Sequence, residues 1–574
     1  MNTHKLSVGI LVDSMQVSAW AYYMVQQIVE GDYAKISLVI NAAMEASFGS
    51  ESQASINFKV SESICRGINW LDRWLNPVSP DAFAQKNLQE LLTEVPSIHV
   101  KMIRHGEYDF LQEQDCDIIQ EHDLDVLILL TSRKLQGKVL ILPQFGVWSY
   151  YHGDYREKIA GYCGLREVLE GREGTGASLI LLSNDQRCEK LLYFSLSYTD
   201  SFSFFRNNNN NFWKSSSFAP RKLQAIHRYG KETFWQYVKQ TNQHPVIFSN
   251  RNKGLPSQTE WLQFLASRLY NQILHKVTRF FFYEQYVLLY KIDKVQLLSN
   301  SLTDFHMIVP PYDRFWADPF LVRHNEQYYV FIEEVLGSRK KGHIACFTID
   351  PEGRCTQPQT VLEKPYHMSY PFVFQYNNEY YMVPETAENR SIELYRCVEF
   401  PAKWEQVSTI MNNVYAYDST LLFREDKWWL FACMKDCEGM SACDELFLFY
   451  TEDLFSGCWI PHKLNPIVSD VRAARSAGKI FEHNGNLYRP SQNSAKRYGY
   501  GMKINHIKKL TVDEYEEECV EEVNPRWHRD VLSVHTLNFL DHLTVIDAEL
   551  QKPRFPAAIV RKLRNLRTYI FGGA

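Results

Sequence analysis

What this sequence does not contain narrows its roles before any motif is considered. No stretch is apolar for long enough to span a bilayer; the nearest, VTRFFFYEQYVLLYKID, is broken by Arg279, Glu284 and Lys291. The opening MNTHKLSVGILVDS lacks the basic start, long apolar run and small-residue cleavage site of a secretory leader, so a cytoplasmic protein is expected. A surplus of one charge is also missing. The 62 Lys and Arg against 67 Asp and Glu leave a formal net charge of −5, which supplies no field for nucleic acid as the main partner. The 12 cysteines are scattered, and only Cys433, Cys437 and Cys443 cluster, at a spacing that matches no zinc site. Reduced core or loop thiols are expected.

What is present is an ordinary globular composition, 45% hydrophobic and 22% charged, over 574 residues, long enough for two or three domains. Aromatics are abundant, with 33 Tyr, 34 Phe and 13 Trp. They favour strands and also stack on sugar rings.

The second half carries an internal repeat. DPFLVRHNEQYYVFIEE, YPFVFQYNNEYYMVPE, DSTLLFREDKWWLFAC, SAGKIFEHNGNLYRPS and VHTLNFLDHLTVIDA start at Asp318, Tyr370, Asp418, Ser476 and Val534. Each is an apolar strand, a polar turn and a second strand. In the first three, an aromatic pair falls at one offset: Tyr328–Tyr329, Tyr380–Tyr381 and Trp428–Trp429. The starts lie 52, 48, 58 and 58 residues apart, close to the period of a four-stranded blade. An all-β five-bladed propeller over 301–550 is expected, with Asp318, Tyr370, Asp418, Ser476 and His535 around its axis.

The first third alternates strands (KLSVGILVD, ISLVINA, DVLILLT, KVLILPQFGVWSYYHGD) with helical periodicity such as SAWAYYMVQQIVE. This predicts an α/β doubly wound domain over 1–245, with ligands beyond the carboxyl ends of its strands. That rule points to the loop Gly146–Asp154. The run NNNNN at 207–211 reads as a mobile low-complexity loop. Residues 246–300 read as a helical linker. The tail over 551–574, with AAIVRKLRNLRTYIF, reads as a basic amphipathic segment, at most a peripheral membrane contact.

Two sets of motifs carry family resemblances. The strand end Ser149-Tyr-Tyr-His152-Gly-Asp154, followed by Glu173-Gly-Thr-Gly176 and Asp185, is similar to the catalytic loop of the folate-dependent formyltransferases. It implies Ser149, His152, Asp154 and Asp185 as catalytic residues and 10-formyltetrahydrofolate as donor. Ser149 stands where that family has Asn, and Tyr151 where it has His, with His152 one position later. Whether formyl transfer survives the shift stays open.

In the second half, Trp316-Ala-Asp-Pro-Phe320 resembles the first-blade motif of family 43-like glycosidases, which implies Asp318 as a base and Asp418 as its tuning partner. The acid of the fourth blade is replaced by Arg472 and Arg475, so hydrolysis, which needs two carboxyl groups, is not expected. FWADPF, Glu333-Glu334, HMSYPFVF with VPET, IELYR, FPAKW, AARSAG, YRPSQ and RYGYG together resemble the N-terminal propeller of plant glucosamine inositolphosphorylceramide transferases. This implies a carbohydrate or glycolipid context.

The residues allow a polar axial pocket in which Arg472, Arg475, Arg489 and Gln492 join Asp318 and Asp418, guanidinium forks suiting phosphate or carboxylate. An internal salt-bridge plug is the alternative. His367 and His535 could ligate a cation, but hydrogen-bonded core histidines are commoner, and no metal is assigned. The expectation is a transferase acting on a sugar, nucleotide-sugar or glycolipid in surface glycoconjugate synthesis, in the concrete version an N-formyltransferase for an amino-sugar. A glycosyltransferase component and a non-catalytic carbohydrate-binding protein are the alternatives.

Overall fold

The computed structural model describes the chain apart from residues 1–3, 43–55, 107, 132, 154, 156, 160–162, 186–187, 244–248, 254–255, 293–301, 303, 339–340 and 556–574. Asp154 and the basic tail segment therefore lie outside the described residues. Two compact units are formed: Met1–Leu262 with Cys437–Ser441, and Gln263–Asp436 with Ala442–Ala574.

The first unit is built on one sheet of β1 (Leu6–Val12), β2 (Ala34–Asn41), β3 (Ser97–His99), β4 (Val126–Leu129), β5 (Val147–His152), β6 (Gly174–Leu181) and β7 (Lys190–Tyr198), in the order β7-β6-β5-β4-β1-β2-β3. β5, β4, β1, β2 and β3 run parallel, and β6 and β7 add an antiparallel edge. Both faces are covered, which is why the strands read as continuous apolar runs. Val8, Ile10 and Val12 pack on α1 (Ala19–Glu30), α4 (Phe204–Ser215) and α5 (Phe218–Thr241), whereas Leu11, Leu127 and Leu129 pack with Cys116 and Ile119 of α3 (Glu113–Glu121). A further helix, α2, spans Ile56–Leu75.

The asparagine run is not a loop. It lies within α4, with Asn207, Asn209 and Asn211 buried. Asn209 accepts from the Ala82 amide at 2.7 Å and donates to the Pro80 carbonyl at 3.1 Å. Asn211 donates to the Gly176 carbonyl at 2.8 Å, and Asn207 accepts from the Asp200 amide at 3.1 Å. The amides satisfy backbone groups that strand and turn ends leave open, a role that composition alone reads as disorder.

The second unit is a ring of five sheets. The first is Arg314–His324, Gln327–Leu336, Gly342–Ile349 and Gln359–Leu362; the second Ser369–Tyr376, Glu379–Thr386, Ser391–Glu399 and Lys403–Asn412. The third is Tyr415–Arg424, Lys427–Lys435, Leu446–Thr451 and Ile460–Pro461; the fourth Phe481–His483, Asn486–Asn493, Gly501–Leu510 and Tyr515–Val523. Leu537–Leu540 and Leu543–Pro553 begin the fifth, and Phe282–Ile292 and His306–Ile308 complete it.

Among its described residues, the stretch expected as a helical linker holds a short strand, Ser249–Lys253, then the helix α6 (Gln258–Phe281), and then a strand of the last blade. Its alternation of aromatic and aliphatic residues was hidden by the adjoining helix. Apolar clusters join blades one to three, three to four, four to five and five to one, so the ring is closed.

Candidate functional site

The residues that meet at the propeller axis are placed there by a device repeated in three blades. The pairing of the first two strands slips between Ala317 and Phe320, between Ser369 and Phe372, and between Tyr417 and Thr420. Each slip is a bulge, and in each the residue Asp318, Tyr370 or Asp418 has a left-handed φ of 51°, 45° or 47°. Non-glycine residues hold such a conformation at a cost of order 1 kcal/mol or more, and bulges re-aim side chains. The second strand places Glu333, Glu385 and Cys433 opposite the bulges at equivalent positions.

The aimed groups form one network. Asp318 accepts from the Thr536 hydroxyl at 2.6 Å and the Tyr370 amide at 3.1 Å, and lies 3.4 Å from His535 Nε2. His535 Nδ1 stands 2.9 Å from Asp547. The Tyr370 hydroxyl crosses to Thr420 at 2.9 Å and accepts from the Gly478 amide at 2.9 Å. Asp418 accepts from Arg475 Nε at 2.6 Å and from Gln492 at 2.9 Å, and Gln492 also donates to the Ser476 carbonyl at 3.0 Å. The second guanidinium arm of Arg475 reaches Glu385 at 3.2 Å. All five expected axial residues are therefore joined, Ser476 through its backbone carbonyl, and Arg475 and Gln492 join them.

Burial sets the charges. It pushes Asp318 up to about 6, with His535 opposing and Asp418 and Asp547 adding. Burial alone would lower His535, but Asp547 and Asp318 hold it at about 9. Glu333 is driven well above the ordinary carboxylate range by burial and then by Asp318 and Glu385. Glu385 follows by burial, Arg475 opposing and Asp418 adding. Along the axis Glu333 and Glu385 are thus biased toward the protonated form, Asp318 is raised only to about 6, and His535 and Arg475 are the cations. Sequence reasoning missed both glutamates as site residues, although Glu333 stands in the Glu333-Glu334 pair and Glu385 in VPET; only their pairing with the bulges reveals them.

The mouth is aromatic. Tyr417 and Tyr498 flank the Arg475 guanidinium at 5.2 and 5.1 Å from their ring centres. Tyr498 is 48% exposed, and Tyr286 and Tyr498 stand beside the His535 ring at 5.1 and 5.7 Å. His367 borders the same region, 3.3 Å from Glu333, and accepts from the Gly342 amide at 2.9 Å. Asp318, His535 and Asp547 could together hold a cation, since their ligand atoms lie within 4.8 Å of one another.

Two expected site residues lie elsewhere. Arg472 is exposed and chelates its neighbour Asp470. Arg489 is buried within the fourth blade, bonded to Glu517 at 2.6 and 2.8 Å and to the Ala473 carbonyl at 2.7 Å. The AARSAG and YRPSQ strings carry no sign of which arginine turns inward.

The catalytic triangle expected in the first unit does not form. Ser149 and His152 lie an odd number of residues apart on β5, so their side chains leave opposite faces of the sheet. His152 is buried among Trp20, Tyr150 and Phe212, stacked on Phe212 at 3.5 Å and bonded to the Ser215 hydroxyl at 2.8 Å. Burial pushes it down to about 3. β6 returns antiparallel, pairing Ala177 with His152 and Leu181 with Trp148. The exposed Asp185 therefore lies past the opposite end of β5, roughly 17 Å away at about 3.4 Å per residue. These residues do not fit 10-formyltetrahydrofolate chemistry.

Comparison with known proteins places the likeness in the propeller. Residues 305–532 match the family described as "Glucosamine inositolphosphorylceramide transferase 1, N-terminal". Glucosamine inositolphosphorylceramide transferase 1 of Oryza sativa subsp. japonica is 35% identical over 206 residues, covering 35% of this chain and 27% of that protein. The Arabidopsis thaliana protein of the same name is 34% identical over the same shares. The aligned stretch thus spans about a quarter of these relatives' length. Among solved structures, the catalytic domain of Coprinopsis cinerea GH62 alpha-L-arabinofuranosidase is similar at 11% identity and TM-score 0.33, over 42% of this chain and 90% of that one. An exo-1,5-alpha-L-arabinanase from a bovine ruminal metagenomic library is similar at 15% identity and TM-score 0.29, over 42% and 94%.

Proposed function

We propose that the propeller is the carbohydrate-recognising part of a transferase in glycoconjugate biosynthesis. Its axial mouth takes the sugar of an amino-sugar, nucleotide-sugar or glycolipid headgroup. The observation that carries this reading is the convergence at one axis of the exposed ring of Tyr498 and the half-buried rings of Tyr286 and Tyr417 with buried carboxyl groups that burial biases toward the protonated form. Tyr498 offers a face for a sugar ring, Glu333 and Glu385 offer donors to its oxygens, and Arg475 fixes the rings and carboxylates around it. The names of the relatives that match here support the same class of ligand. A cytoplasmic setting is part of this proposal and rests on the sequence alone.

A second reading, a carbohydrate-binding protein without chemistry of its own, is favoured by one detail. Asp318, the expected base, already accepts two hydrogen bonds and faces His535, and Asp418 is held by Arg475 and Gln492. Neither carboxylate is free to activate a nucleophile, and aryl glycosides are expected to stay intact for the same reason. Formyl transfer is set aside, because Ser149, His152 and Asp185 do not converge.

A thermal-shift panel of amino-sugars, inositol phosphates, nucleotide-sugars and reduced folates tests the proposal. Stabilisation by a sugar-bearing compound and not by folates is expected. Stabilisation by folates alone would reject it.

A further inference from the structure

We infer that α6 (Gln258–Phe281) is an interfacial helix that lies on an anionic lipid bilayer. Leu262, Leu265, Leu269, Ile273, Val277 and Phe280 recur every three or four residues and so line one face. All six are exposed, Leu262, Leu269 and Phe280 by 67%, 60% and 63%. The stripe runs about 27 Å at 1.5 Å per residue. Scattered exposed leucines are unremarkable in a folded protein, but a continuous apolar face of this length marks an interaction surface. Among the described residues no helix is long and apolar enough to cross a membrane, so this one can lie on a bilayer but not span it.

Charge chooses the occupant. The helix carries Arg268, His275, Lys276 and Arg279 against one acid, Glu260. Glu260 is itself held by Arg166 at 2.7 Å. The last described residues of the chain meet the end of this helix. Arg554 donates its amide to the Phe281 carbonyl at 2.8 Å, and Phe555 packs 5.8 Å from Phe280 and 5.9 Å from Phe281. Beyond Phe555 the sequence holds Arg561, Lys562, Arg564 and Arg567 and no Asp or Glu. An apolar stripe with cations beside it, joined to a second basic segment, is complementary to anionic lipid. A second copy of α6, or the basic tail itself, would bring like charges together along the stripe.

Flotation of the full chain with phosphatidylcholine vesicles, with and without phosphatidylglycerol, tests this. Binding is expected only with phosphatidylglycerol, weakening as salt rises. The double variant Leu269→Asp/Ile273→Asp should lower the bound fraction about tenfold while melting like the unaltered chain, since both side chains are exposed. Should that variant misfold, Lys276→Glu/Arg279→Glu reads the charge half of the claim in the same assay. No binding to anionic vesicles, equal binding to neutral ones, or binding that survives both double variants would overturn the proposal. So would light scattering that shows a dimer dissolved by the Leu269→Asp/Ile273→Asp change, which would assign the stripe to a second copy.

Discussion

Arg475 grips Asp418 through two guanidinium nitrogens, Nε at 2.6 Å and the second at 3.2 Å, at the centre of a closed five-bladed ring. The pair links the third and fourth blades and, through Glu385, the second. Replacing Arg475 by Ala strands two buried carboxyl groups, so Arg475→Ala should destabilise the propeller by about 3–5 kcal/mol. Arg475→Lys, which cannot reproduce the fork, should fall between. Urea unfolding of both variants checks the order. A cost within ~0.5 kcal/mol for Arg475→Ala would show the contact to be incidental.

His535 makes the propeller sensitive to alkali. Its folded value, about 9, lies above the ~6.5 of an unfolded histidine, so its contribution is complete below about pH 6.5 and is lost as pH rises through about 9. Asp318, held at about 6, titrates mostly at the acid edge of that window. The contribution is on the order of 3 kcal/mol from a shift of this size. Urea midpoints across this range should fall more steeply for the unaltered chain than for His535→Gln. A flat profile in both would mean that the imidazolium is not held by Asp547 and Asp318.

His152 should behave as a core residue. Its folded value, about 3, is below the unfolded ~6.5, so the stability it contributes is present above about pH 6.5 and is lost as pH falls toward 3. His152→Ala removes a ring packed on Phe212 and should cost on the order of 3 kcal/mol. Stability measured with and without a bound sugar separates the roles: sugar affinity should be unchanged. Loss of affinity with no loss of stability would restore His152 as a functional group.

The ring was legible because its repeat is carried by strand-turn-strand segments with aromatic pairs at fixed offsets, which only a period-2 structure with matched turns produces. The same period located Asp318, Tyr370 and Asp418, since the bulged residue begins each repeat. It could not separate Arg475 from Arg472 and Arg489, because which arginine turns inward depends on register beyond the irregular fourth blade. Nor could it find Glu333 and Glu385, whose importance arises from cross-strand pairing with the bulges. In the first unit the strands announced themselves by apolar runs, yet the direction of return of β6 was not readable. That direction carries Asp185 away from His152.

The buried amides of α4 make a testable contrast with a loop. Asn209→Ala orphans the Ala82 amide and leaves the Pro80 carbonyl to the Trp213 indole, and Asn211→Ala leaves the Gly176 carbonyl to the Gly153 amide and removes a buried side chain. Each should destabilise the first unit by about 1–3 kcal/mol. Surface-loop substitutions usually stay within about 0.5 kcal/mol. Chemical unfolding followed by Trp fluorescence distinguishes the two, and near-neutral values for both variants would contradict the packed helix.

The most direct test of the account is calorimetry of the full chain with whichever sugar-bearing compound stabilises it most, set against Tyr498→Ala. Removal of this half-exposed ring is expected to lower the melting temperature only slightly, while affinity falls about tenfold, on the order of 1.4 kcal/mol. Unchanged affinity in Tyr498→Ala, or sugar binding abolished instead by a substitution in the first unit, would contradict an axial carbohydrate site.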